Sequence, residues 1–187
     1  METGKFLART AIFVALAAVI KIVLASVPNI ELLTLWVATV TLIYGLKAGV
    51  TVAFLGNVVA DFYVGFGPWT FCVSAGFVLV AVIVWLVSSH LRSSLSYAVV
   101  GTTATVLFDV FTVVTSMSLL FGYSVKMALF QQYAVFAPYP FGWVHLVSNA
   151  LIFYFVAEPF IERLKRINGV IPLSKDPGSL EKSDLHS

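Results

Sequence analysis

Apolar runs of about the length needed to cross a bilayer make up most of this chain. They fall near residues 11–27, 32–44, 50–64, 70–87, 97–120 and 142–160, separated by short turn-forming or charged stretches. A soluble domain carries roughly a quarter charged residues. Here only 11% are charged and 60% are hydrophobic, with a mean hydropathy of +0.99. At ~20 residues per span, 187 residues leave room for about six. The sequence therefore predicts an all-α integral membrane protein in the cell membrane, a six-transmembrane-helix bundle. Residues 1–167 form one membrane domain, and the polar, Ser- and Pro-containing segment 168–187 is a disordered cytoplasmic tail. The first run resembles a secretory signal, but Lys21 interrupts it where a signal core is uncharged, so it reads as an uncleaved helix.

The charges set an orientation. With both termini cytoplasmic, the inner segments hold Lys5, Arg9, Lys47, Arg92, Arg163, Lys165, Arg166, Lys175 and Lys182, and the outer loops hold only Lys126. That asymmetry follows the positive-inside rule. Three loops then gather outside, Pro28–Glu31, Gly65–Thr70 and Phe121–Phe141, and recognition is expected there. Pro159 and the charged residues after it are expected to end the last helix.

Several chemistries are excluded. The net charge of +2 offers no nucleic-acid surface. Cys72 stands alone, so neither a disulfide nor a C-x-x-C motif exists. There is no G-x-x-x-x-G-K-[ST], H-E-x-x-H or G-x-S-x-G, and the three histidines lie far apart. No enzymatic activity and no cofactor are expected. The polar residues inside the apolar runs are instead candidates for binding a small molecule.

A carboxylate within a span costs roughly 2.5–3.5 kcal/mol on insertion scales, so it faces a site or a partner. Asp109 sits halfway along the fifth run and either contacts a ligand or ties its helix to another. Asp61 and Lys21 lie at similar depth near the outer ends of their helices, which suggests an ion pair. Gly49, Ala53, Gly56, Asn57, Ala60 and Asp61 share an inward face of the third helix. His145 and Asn149 are one turn apart and can bind a ligand, bind each other or join helices. Beside them, Gln131, Gln132, Tyr133 and Tyr139 occupy an aromatic loop. Part of that loop suits an interfacial belt and part suits a pocket for a flat polar molecule. Trp69 and Trp36 are open to the same two readings. Alanines at 8, 11, 15 and 18 stripe the first helix and let another helix approach closely, within this chain or from a separate subunit.

The chain resembles the substrate-binding S components of energy-coupling factor (ECF) vitamin transporters. The resemblance rests on Ala11-x-x-x-Ala15, on Pro28-Asn29-Ile30-Glu31 followed by Leu33-Thr34-Leu35, and on Phe66-Gly67-Pro68-Trp69-Thr70. It rests also on Phe108-Asp109 with Thr112, followed by Pro140-Phe141 and His145-x-x-Ser148-Asn149. It implies a vitamin-binding subunit without its own motor, working with an ECF transmembrane scaffold subunit and two ATPase subunits. Ala8, Ala11, Ala15 and Ala18 would then be docking positions. The pocket and its lid would be built from the outer loops and later helices, with Asn29, Glu31, Trp69, Asp109, Gln131, Gln132, Tyr133, Tyr139, His145 and Asn149 as ligand-binding residues. Gly67-Pro68-Trp69-Thr70 leans toward the branch with cobalamin-type ligands. The alternative is a stand-alone proton-coupled carrier in which Asp61 and Asp109 titrate.

Overall fold

The computed structural model describes residues 2–27, 30–135 and 141–167, and every regular element among them is helical. The helices are α1 (Glu2–Leu24), α2 (Leu33–Tyr44), α3 (Leu46–Val64), α4 (Pro68–Leu86), α5 (Ser94–Val113), α6 (Val125–Tyr133), α7 (Phe141–Ile152) and α8 (Glu158–Ile167). Wider, π-helical segments extend α5 over Val114–Leu120 and join α7 to α8 over Phe153–Ala157. Five stretches are long and apolar enough to cross a membrane: Gly4–Leu24, Leu46–Val64, Pro68–Leu86, Ser94–Leu120 and Gly142–Ile167. The chain is an all-α membrane protein.

The sixth apolar run is the short one. α2 has 12 residues, about 18 Å at 1.5 Å per residue, against ~30 Å of hydrocarbon. Nine of those residues, from Leu33 to Ile43, are buried, so protein rather than lipid surrounds it. Its apolar pattern is that of a core helix enclosed by its neighbours. Gly45, at φ 86°, turns the chain directly into α3.

Small residues bring the helices together. A Cβ added at Gly56 would lie 2.5 Å from the Ala17 Cβ, so α1 and α3 touch almost backbone to backbone. At Gly101 the same space is filled by the Phe153 ring, which seats the π-helical segment against α5. Short polar caps start the helices. Ser93 and Ser96 exchange hydrogen bonds at the start of α5, the Ser96 amide donating to Ser93 Oγ (3.3 Å) and the Ser93 amide to Ser96 Oγ (3.0 Å). Ser124 Oγ likewise accepts from the Met127 amide at the start of α6 (3.2 Å).

Three expectations change. The stretch expected as a loop between Phe121 and Phe141 contains a helix, α6, which follows a turn at Gly122 (φ 71°). Pro159 does not end the last helix, which runs on to Ile167. It is the second residue of α8, just after the wide turn, where a proline without an N–H fits the start of a new α-helical segment. The alanine stripe of α1 is also divided. Ala8, Ala11 and Ala15 are exposed, but Ala18 is only 4% exposed and belongs to the interior, next to the Ala17 that packs on Gly56. The proposed tail 168–187 lies outside the described residues.

Candidate ligand-binding site

Asp61 and Lys21 form the ion pair that their depth suggested. Lys21 Nζ donates to Asp61 Oδ1 (2.6 Å) and to Asn57 Oδ1 (2.5 Å). The Asn57 amide in turn donates to Ser74 Oγ (2.9 Å) and to the Thr70 carbonyl (3.3 Å). One lysine thus satisfies two buried groups of α3, and Asn57 links them to α4. A charge pair inside a bundle persists only when its remaining lone pairs and protons also find partners.

Beside this network, at the end of the bundle where α1 joins α2, lies a cavity of about 380 Å³. Lys21 and Leu24 reach it from α1, Glu31 from the α1–α2 connection, Phe77 from α4, Asp109 and Thr112 from α5, Gln132 from α6 and His145 from α7. Its polar wall is one linked group. His145 Nδ1 lies 2.7 Å from Asp109 Oδ1, and its Nε2 lies 3.3 Å from Glu31 Oε1. Glu31 also accepts from the Thr34 hydroxyl at the first turn of α2. The apolar wall is aromatic. Phe108 meets His145 edge-on (centroids 5.8 Å) and tilts against Phe77 (4.5 Å).

The last turn of α6 is fixed over this wall. Trp143 Nε1 donates to the Tyr133 carbonyl (2.9 Å), and Gly142 leaves room for Tyr133 and the Gln132 carbonyl to sit against α7. The Tyr133 hydroxyl points at Asp109 Oδ2 from 3.5 Å, long for a hydrogen bond. Burial, then the Asp109 carboxylate, push the Tyr133 phenol well above its ordinary 10.0, so it stays a neutral donor. In the α1–α2 connection, burial alone would raise the Glu31 carboxyl. His145, Thr34 and Lys21 together outweigh that and hold it below its ordinary 4.5.

The structure thus brings Glu31, Asp109, Gln132 and His145 to one cavity, with Tyr133 behind Asp109. Three other expected residues are elsewhere. Trp69 is exposed, its ring folded over Gly67 of its own turn, because it opens α4 on the outside of the bundle. Gln131 is exposed, since one residue of rotation on α6 turns it away from the wall that Gln132 lines. Asn149 is fully buried one turn further along α7, does not line the cavity, and its amide has no hydrogen-bond partner among the described residues. Asn29 and Tyr139 lie outside the described residues. Trp36, left between belt and pocket, is structural: its Nε1 donates to the Phe13 carbonyl (3.1 Å).

The sequence reading did not place Lys21, Phe77 or Thr112 at the site. For Lys21 the signal is present, a cation in the last turn of α1 just before the α1–α2 connection. Among the described residues no group of three His, Cys, Asp or Glu side chains is arranged to hold a metal ion. The arrangement offers carboxylate acceptors, an amide and an aromatic wall around one cavity.

A helical membrane bundle with a mixed polar and aromatic cavity at one end defines a membrane-embedded binding protein. Over residues 5–166 the chain matches the family described as ECF-type riboflavin transporter, S component, and it belongs to that family. It is the substrate-binding subunit of an ECF transporter. No curated protein and no solved structure matches it.

Proposed function

We propose that the chain captures riboflavin or a close flavin relative in this cavity and passes it inward as part of an ATP-driven importer. The observation that carries the reading is the family match, because residues 5–166 include every residue that lines the cavity. Size and chemistry support it. A cavity of about 380 Å³ lies in the range of roughly 300–1,000 Å³ that holds a drug-sized ligand. The flat isoalloxazine suits the Phe77 and Phe108 side. The ribityl hydroxyls suit the carboxylates and Gln132. A cobalamin, with its corrin ring and nucleotide loop, is several times larger than this space, so the cavity favours the flavin over the cobalamin-type ligand.

In this reading both termini are cytoplasmic, the chain makes six crossings of the cell membrane counting α2, and the cavity faces outward. A scaffold subunit docks on the exposed alanines of α1, Ala8, Ala11 and Ala15, and two ATPase subunits drive the cycle. The stand-alone proton-coupled carrier has less support, since Asp61 is paired with Lys21 and Asp109 with His145. Titrating the purified protein with riboflavin and following flavin fluorescence tests the proposal. Saturable quenching at one ligand per chain is expected, and unchanged fluorescence at micromolar protein refutes it.

A further inference from the structure

We propose that the groove between α1 and the last helix, floored by α2, holds an acyl chain of an anionic phospholipid whose headgroup is bound by Arg9 and Arg163. Ile20 walls this groove from α1, Leu32, Leu35 and Trp36 from α2 and its approach, and Val156 and Phe160 from the last helix, around about 170 Å³. It shares Ile20 and Leu32 with the ligand cavity but none of that cavity's polar groups. The one polar side-chain atom among its lining residues, Trp36 Nε1, already donates to the Phe13 carbonyl (3.1 Å). Leu32, Val156 and Phe160 are exposed, so the groove opens to the side of the bundle. Water in such a place lacks polar partners, and an empty cleft loses packing contacts, so hydrocarbon is its natural filling.

Two cations mark one end of the groove. Arg9 and Ile20 are eleven residues apart on α1, which places them about 20° from each other round the helix and about 16 Å apart along it. That rise matches one leaflet's half of the ~30 Å hydrocarbon core. The Arg9 guanidinium lies 4.5 Å from the centre of the Tyr44 ring, at the last residue of α2. Helix α2 and the last helix both run away from the ligand cavity, and Arg163 follows Phe160 by one turn in that direction. Ile161 is buried and Leu164 packs on the core, which turns Arg163 and Arg166 outward. Among the described side chains neither arginine faces a carboxylate. Glu162 holds Lys165 (3.0 Å), and Glu158 accepts from the Ser94 hydroxyl (2.6 Å).

An anionic phospholipid matches both halves of this site, the apolar groove and the unpaired cations at its end. A helix of the scaffold subunit is the competing occupant. The exposed alanines proposed to receive it lie on another face, since Ala15 and Ala11 are about 140° and 180° round α1 from Ile20.

Native mass spectrometry of the purified full-length chain, incubated with phosphatidylglycerol or phosphatidylcholine of identical acyl chains, tests the proposal. Phosphatidylglycerol should be retained at one per chain and phosphatidylcholine far less. An arginine near an anionic lipid is worth about fivefold, so Arg9→Gln with Arg163→Gln should weaken retention about 25-fold. Val156→Trp fills the groove without touching a charge and should also reduce retention, which gives a second reading if the charge variant does not fold. Lys126→Gln, at the other end of the bundle, should change nothing. Equal retention of the two lipids, or retention unchanged in both the charge and the groove variants, overturns the proposal. Displacement of the lipid by glycerol 3-phosphate would reduce the site to a free-anion site and overturn it as well. Loss of the co-purified scaffold in Val156→Trp, with phosphatidylglycerol still retained, would give the groove to the scaffold instead.

Discussion

His145 joins α7 to α5 through Asp109: Nδ1 lies 2.7 Å from Oδ1, and the two side chains are 6% and 4% exposed. Removing one member of a buried pair leaves an uncompensated charge and costs about 3–5 kcal/mol. His145→Ala should therefore lower the melting temperature in detergent sharply and abolish ligand binding. Asp109→Asn, which keeps the shape and removes the charge, should be milder in stability. A melting temperature for His145→Ala equal to that of the parent would show that the pair does not hold the helices.

Lys21 and Asp61 predict a different pattern, because each can be neutralised together with its partner. Lys21→Met and Asp61→Asn alone should each destabilise by about 3 kcal/mol, and the double variant by clearly less than the sum. Thermal unfolding of the four proteins in one detergent gives the coupling energy. Strict additivity would contradict the 2.6 Å contact as an energetic link.

Glu31 predicts an acid limb. Its carboxyl is held below its ordinary 4.5 by His145, Thr34 and Lys21 against the upward push of burial. The folded protein then binds fewer protons than the unfolded chain in this range. The stabilisation is present in full above about pH 4.5 and is lost as pH falls through the lower, folded value. Melting temperature measured between pH 7 and pH 3 should drop on the acid side, and Glu31→Gln should flatten part of that drop. An identical acid limb in the variant would remove Glu31 from the explanation.

In the proposed assembly, the divided stripe of α1 separates docking from packing. Ala11→Trp and Ala15→Trp place bulk on an exposed face, so riboflavin binding should stay within about twofold while uptake into cells and co-purification of the scaffold are lost. Gly56→Leu forces bulk against Ala17 and should destabilise the fold by about 1–3 kcal/mol or more. Retained uptake in both alanine variants would place the docking face elsewhere.

The sequence revealed the helical membrane class and the Lys21–Asp61 pair because both depend on hydropathy and depth along single helices. Asp109 and His145 each stand out by their cost in an apolar helix, as ligand contacts or as ties between helices, but their contact with each other is not legible in the sequence. It depends on how α5 and α7 are rotated against each other, and no local pattern records that. Glu31 stands out in the sequence only as a carboxylate in a loop, yet its partner is a histidine far along the chain. Gln131 and Gln132 look equivalent in a loop, but on α6 about 100° of rotation separates them, and only Gln132 lines the cavity. Asn149 shared a face with His145 as expected, but one helical turn of extra depth carried it past the cavity. The rule for proline inside an α-helix ends the helix at Pro159, but the wide turn before it removes the clash on which that rule rests.

The short, enclosed α2 bears on how the chain enters the bilayer. As the nascent chain emerges, α1 arrives carrying Lys21 with no counter-charge, and the 12 residues of α2 cannot anchor across the hydrocarbon alone. The counter-charge, Asp61, comes only with α3. The tie between α1 and α3 therefore closes only after Val64 has entered, and until then α1, long and apolar enough to cross alone, carries its lysine without that partner.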